Sequence, residues 1–169
     1  HFFSEIISSR KPFGLPTDFN TFSKSGDIKI YANKQIGYVS AKFNISKNKD
    51  WINKYKLFIP KAVGSGDMRD DWVKPIIGEP NSLCTETYVV VGPFETEEET
   101  KNVYSYTQTK FFHFMMGLAK ITQDATSKVY QFVPMQDFSK PWTDEELYKK
   151  YNLSQEEVDF IESMIKPME

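Results

Sequence analysis

The sequence predicts an α+β domain: a mixed or antiparallel sheet, one long helix packed against it, and a helical C-terminal appendage. Three observations carry this. Short β-branched and aromatic runs separated by turn residues fill the chain up to Gly92. A helical period then starts behind Thr96. Two acidic segments near the end each open on a Ser or Thr with a Glu three residues later. The 169 residues fit one domain of ordinary size. The division expected is an α+β unit over 1–138 and a helical appendage over 139–169.

The elements follow in order. A short amphipathic piece at 3–7 precedes a loop, Ser8-Ser9-Arg10-Lys11-Pro12-Phe13-Gly14-Leu15-Pro16, whose prolines and glycine rule out a helix. Ile28-Lys29-Ile30-Tyr31 and the alternating run at 37–43 read as strands joined by a turn at Ala32-Asn33-Lys34-Gln35. The polar stretch 47–52 leads to a third strand, Tyr55-Lys56-Leu57-Phe58-Ile59-Pro60. A glycine-bearing loop, 61–71, precedes an edge strand at 73–77, where Pro75 cannot donate to a ladder. Thr85-Glu86-Thr87-Tyr88-Val89-Val90-Val91-Gly92 is rich in β-branched residues, and its valine run reads as buried on both faces. Thr96 caps a single helix predicted to run to about Ile121, with Glu97, Glu98 and Glu99 against the positive end of its dipole. The run 128–132 reads as a strand ended by Pro134. Thr143 and Ser154 cap the last two helices, and Lys166-Pro167 ends the second.

Composition excludes several classes. The chain is 40% hydrophobic and 26% charged, the balance of a globular domain rather than a disordered or fibrous one. No apolar run approaches the ~20 residues that span a bilayer, so no membrane partner is expected. One cysteine, Cys84, allows no internal disulfide and points to a reducing, cytoplasmic setting. The opening His1-Phe2-Phe3-Ser4-Glu5 does not have the form of a signal peptide. A start on His rather than Met reads as a fragment of a longer enzyme, or as a tag remnant.

The formal net charge of -2 hides a polarity. Residues 1–64 hold 11 Lys and Arg against 4 Asp and Glu, a balance of +7, and residues 65–169 hold 10 against 19, a balance of -9. Such asymmetry suggests an anionic partner for the first half.

Catalytic constellations are missing. There is no phosphate-binding loop, and Gly64-Ser65-Gly66 does not make a dinucleotide fingerprint. His1, His113 and Cys84 match no zinc spacing, and Cys84 with His113 is a poor nucleophile–base candidate. The carboxylates at 97–99 and 144–146 are accounted for by helix dipoles. Asp67, Asp70 and Asp71 flank a loop that is open to a divalent cation, although their spacing matches no calcium loop. The residues therefore argue for binding rather than catalysis, and no metal or cofactor is expected in this chain.

Four segments carry a resemblance: the loop 8–16 quoted above, Glu86-Thr87-Tyr88-Val89-Val90-Val91-Gly92-Pro93-Phe94, Thr109-Lys110-Phe111-Phe112-His113-Phe114, and Tyr130-Gln131-Phe132-Val133-Pro134-Met135-Gln136-Asp137-Phe138. The tail Trp142-Thr143-Asp144-Glu145-Glu146-Leu147-Tyr148-Lys149-Lys150-Tyr151 adds to them. Together they resemble the C-terminal target recognition domain of bacterial adenine-specific DNA methyltransferases of type II restriction–modification systems, including bifunctional restriction–methylation enzymes. The resemblance implies a fragment that recognises double-stranded DNA for a methyltransferase catalytic domain elsewhere in the same chain. S-adenosylmethionine would belong to that parent enzyme, because no Asn or Asp here is followed by Pro-Pro and no glycine-bearing cofactor loop is present. One departure is His113, where sequences of this kind often carry Arg.

Duplex binding rests on Lys and Arg neutralising phosphates, with base edges read by Arg, Lys, Asn and Gln. The contacts expected are Ser9, Arg10 and Lys11 on the stiff loop, Lys42 beside the hairpin, Lys61, Ser65 and Arg69 around the glycine-bearing loop, and Lys110 on the long helix. Lys47, Lys49, Lys54 and Lys56 extend the basic region, and Lys120 and Gln123 are further candidates. The acidic C-terminal helices are expected to pack on the side away from DNA, or to contact the methyltransferase core or its linker. Two rival classes are a metal-dependent nuclease or other hydrolase built on Asp67, Asp70 and Asp71, and a protein-interaction module using the acidic tail.

Overall fold

A computed structural model describes residues 1–23, 26–61, 73–119 and 127–165. The fold is α+β. Among the described residues six strands form two three-stranded sheets: β1 (Ile28–Ala32), β2 (Gln35–Val39), β3 (Tyr55–Pro60), β4 (Ile76–Gly78), β5 (Ser82–Cys84) and β6 (Tyr88–Phe94). One sheet runs β2-β1-β5 and is mixed, with β1 antiparallel to β2 and parallel to β5. The other runs β4-β3-β6 and is antiparallel throughout.

The β4-β3-β6 sheet is the middle layer, and the alternation of its side chains shows why. Leu57 and Ile59 of β3, with Val89 and Val91 of β6, enter a first core shared with the helices. Phe58 and Val90 point the other way, into a second core shared with Ile28, Ile30 and Leu83 of the mixed sheet. Period-two alternation with apolar residues on both faces is what a doubly covered strand requires. The β3–β6 register slips between Tyr55 and Leu57, so Lys56 stands opposite both Gly92 and Pro93, a β-bulge.

The helices are α1 (Glu97–Thr107), α2 (Lys110–Ala119), α3 (Asp144–Lys150) and α4 (Gln155–Met164). The single helix expected from 96 onward is therefore two. The break has a local cause: Thr109 caps α2, its hydroxyl accepting from Phe112 N at 3.0 Å. The Asp144 carboxylate accepts from Lys110 N at 3.0 Å and Phe111 N at 2.8 Å. Two otherwise orphaned amides of α2 are thus held by the first residue of α3. Asp144→Ala is expected to cost about 1–3 kcal/mol in urea unfolding, because both amides lose their acceptor.

Other expectations shift. The strand expected at 128–132 is a 3₁₀ turn, Ser127–Tyr130. There β propensity loses to packing: Val129 and Tyr130 are both buried, and the Tyr130 ring lies 5.9 Å from those of Phe3 and Phe112. Consecutive buried side chains cannot both point one way from a strand. β2 starts and ends earlier than the alternation suggests, giving way to a turn at Ser40. β5, with three residues, is too short to leave a period. Phe3–Ile6 is a 3₁₀ turn, and it leads to Ile7 bridging Val91.

The C-terminal helices share the first core. Trp142 and Leu147 are buried in it, and Phe111 stacks on Tyr151 at 5.2 Å with 9° between the rings. Thr143 and Ser154 cap α3 and α4 as the sequence indicates, accepting from Glu146 N and Glu157 N.

Candidate nucleic-acid interface

The loop 9–14 is exposed at its polar residues and anchored at its apolar ones. Ser9, Arg10 and Lys11 are exposed, whereas Pro12 and Phe13 are buried. Its entry is tied to β6 by a reciprocal pair: Ser8 N donates to Val90 O and Val90 N donates to Ser8 Oγ, both at 2.8 Å. Phe13 fills the second core edge-on to Trp51, ring centroids 6.3 Å apart. A rigid base under a charged loop lowers the ordering entropy that binding must overcome.

A second loop supports the first. Asn48 Nδ2 donates to Pro12 O at 2.8 Å. Gly14 sits at φ +83°, where L-residues are disfavoured, and a Cβ there would run into Ser46 Oγ. Lys47 and Lys49, flanking Asn48, are exposed and carry no ion pair among the described residues. Lys42 is exposed on the same connection, where its N bonds Ser40 Oγ at 3.1 Å, and Ala41 N bonds Asp27 Oδ2 at 3.1 Å. Phe43 holds this stretch down through an edge-to-face contact with Phe19 at 5.5 Å. The loops 9–14 and 40–49 therefore present Arg10, Lys11, Lys42, Lys47 and Lys49 above partly buried aromatic side chains packed against the second core. Gly14→Ala is expected to lower stability by about 1–3 kcal/mol through backbone strain and the Ser46 clash. It should also weaken any ligand of the loop while leaving the charge unchanged, as read by anisotropy with a labelled duplex.

The remaining expected contacts are placed differently. Lys61 is mostly buried and faces the Glu86 carboxylate at 3.7 Å. Lys110 pairs with Glu162 of α4, remote in sequence from the basic loops and among the acidic helices. Ser65 and Arg69 lie outside the described residues, as do Asp67, Asp70, Asp71, Lys120 and Gln123. Lys54 pairs with Glu95 at 2.8 Å. His113 is buried on α2.

Lys56 is a correction of a different kind. It is fully buried at 0% exposure and is not a surface cation. Its ammonium donates to the carbonyls of Trp51 at 3.1 Å, Ile52 at 2.8 Å, Lys54 at 2.9 Å and Glu79 at 3.2 Å. Burial pushes it down to about 7, opposed by charges nearby, while the carbonyls also favour the charged form. The side chain thereby ties the 3₁₀ turn Lys49–Trp51 to the β4–β5 turn, so a buried lysine holds the exposed one in place.

The hairpin tip, expected as a turn, also presents exposed amide and amine side chains. Asn33, Lys34 and Gln35 are all exposed, and Lys34 sits at φ +61°. Ile36 beside them is 58% exposed. A cleft of about 370 Å³ under the tip is lined by Tyr31, Ile76 and Tyr88. The sequence signal for this site is the run of amide and amine side chains at the turn itself.

Chemistry for catalysis is sparse among the described residues. No three of their His, Cys, Asp and Glu side chains are gathered to hold a metal ion. Cys84 is buried in the second core, and burial pushes its thiol up, away from nucleophilic thiolate. No described helix is long and apolar enough to cross a membrane. No family model, curated protein or solved structure matches the chain.

Proposed function

We propose that this chain is the sequence-specific DNA recognition domain of a type II restriction–modification adenine methyltransferase. The observation that carries the reading is the exposed basic surface of loops 9–14 and 40–49 on a rigid aromatic base, in the half of the chain that carries +7. Lysines such as Lys47 and Lys49, able to meet phosphates without first breaking an ion pair, are what a polyanion requires. The exposed turn of the β1–β2 hairpin complements them, since its Asn33, Lys34 and Gln35 are side chains of the types that match base edges in the major groove. The four segments that resemble target recognition domains support the same reading, and methyl transfer from S-adenosylmethionine then belongs to a catalytic domain of the parent enzyme.

The test is duplex binding by the chain itself. A labelled pool of random-sequence duplexes at low salt should bind, and the affinity should fall steeply as salt rises. Selection from that pool should return an enriched sequence. Absence of any binding at low salt would remove the proposal.

A further inference from the structure

We infer that the groove between α2 and α4 is a docking site for a basic amphipathic helix of a protein partner. This is independent of the DNA reading. The groove encloses about 450 Å³ and is lined almost entirely by apolar side chains of α2, α4 and the Tyr151–Leu153 connection. Its floor is the Phe111–Tyr151 stack, and its wall is Phe114 edge-on to Phe160 at 5.8 Å. Phe160 is 55% exposed, and Phe114, Met115, Tyr151 and Leu153 beside it are only partly buried. Apolar side chains left in water along one trough mark an interaction surface rather than scattered surface residues.

The charge of the rim selects the occupant. Glu156 and Glu157 line the groove, and α4 holds Glu156, Glu157, Asp159 and Glu162 with no Lys or Arg. Glu162 is committed to Lys110 and Tyr148, and Glu157 to the cap of its own helix. Glu156 makes no hydrogen bond or ion pair among the described residues and stands exposed at the groove edge. A carboxylate rim repels phosphate backbones and anionic membrane surfaces alike. It attracts a segment whose apolar stripe is flanked by Lys or Arg. An apolar trough between two helices is the shape that takes such a stripe at helical spacing, with the flanking charges setting orientation and on-rate.

The experiment titrates the intact chain into three labelled peptides of equal length, about 18 residues. One is an amphipathic Leu/Lys helix, one is the same helix with Glu for Lys, and one is the Leu/Lys composition scrambled to destroy the stripe. The Leu/Lys helix should bind, and the other two should bind at least about tenfold more weakly. Phe160→Ser should weaken the Leu/Lys helix about tenfold or more, with thermal unfolding showing that the fold persists. Glu156→Lys should weaken it several-fold and reduce its salt dependence. Equal binding of the Glu helix or of the scrambled peptide overturns the proposal, as does indifference to Phe160→Ser. Self-association of the chain that Phe160→Ser abolishes also overturns it, because the occupant is then a second copy. DNA binding is a separate readout and should be unchanged in both variants.

Discussion

Lys56→Met should lower stability by about 2–4 kcal/mol in urea unfolding at neutral pH. Hydrogen bonds from a charged donor contribute about 1.5–3 kcal/mol each, so the three N–H groups of the ammonium, shared among four carbonyls, would suggest a larger loss. Two effects reduce it. Methionine removes the desolvation cost of a buried ammonium. Three of the four carbonyls also keep another donor: Trp51 O accepts from Lys54 N, Ile52 O from Asn81 N, and Glu79 O from Ser82 Oγ. Lys54 O has no other donor among the described residues' hydrogen bonds, and four carbonyl dipoles remain aimed at one apolar point.

The same residue has a pH signature. The unfolded lysine keeps its proton to about 10.5, whereas the folded one is pushed down to about 7. Between those values the unfolded lysine holds more proton than the folded one, so its contribution to stability rises with pH, by at most about 1.4 kcal/mol per unit, and the rise is unopposed up to about pH 9, where the buried Cys84 thiol begins to act against it. Lys56→Met should lack that rise. Above about pH 9 a loss should set in for both proteins, because burial pushes the Cys84 thiol up and, from about pH 10, the Tyr106 and Tyr130 hydroxyls as well. Their unfolded forms release protons first, and the stability they contribute is lost as pH climbs. A wild-type profile flat from pH 7 to 9 would contradict this account.

Charge reversal of Lys11, Lys47 and Lys49 to Glu should weaken duplex binding by at least about a hundredfold and reduce the salt slope by about 3, one for each phosphate left without its lysine. All three are exposed and carry no ion pair among the described residues, so unfolding should be nearly unchanged. Lys110→Glu is the contrast. It faces Glu162, so its reversal should disturb the α2–α4 junction and leave DNA affinity as it was. If the triple variant binds duplex as tightly as the parent chain, the basic loops are not the interface.

Much of the local structure was legible because its causes are local. Thr96, Thr143 and Ser154 cap the helices that follow them, as side-chain oxygens beside orphaned amides must. β3 occupies the six residues expected, and the valines of β6 are buried on both faces. The basic loop 9–11 was visible because proline and glycine punctuate it. The groove between α2 and α4 was not visible, since its lining comes from helices and a connection that only the fold brings side by side.

By itself, then, the sequence determined the α+β class, most strands and caps, and the concentration of positive charge in the first half. Only the tertiary structure decided which of those charges meet solvent. Lys49 and Lys56 are alike in type and close in the chain, yet one is exposed and the other buried beneath four carbonyls. The difference comes from the carbonyls of the 51–54 turn gathering around Lys56 and from the arrival of Glu79 from a distant turn. The break between α1 and α2 is likewise completed by Asp144, more than thirty residues away. Burial and capping at such points depend on partners that only the folded chain brings together, so no local pattern encodes them.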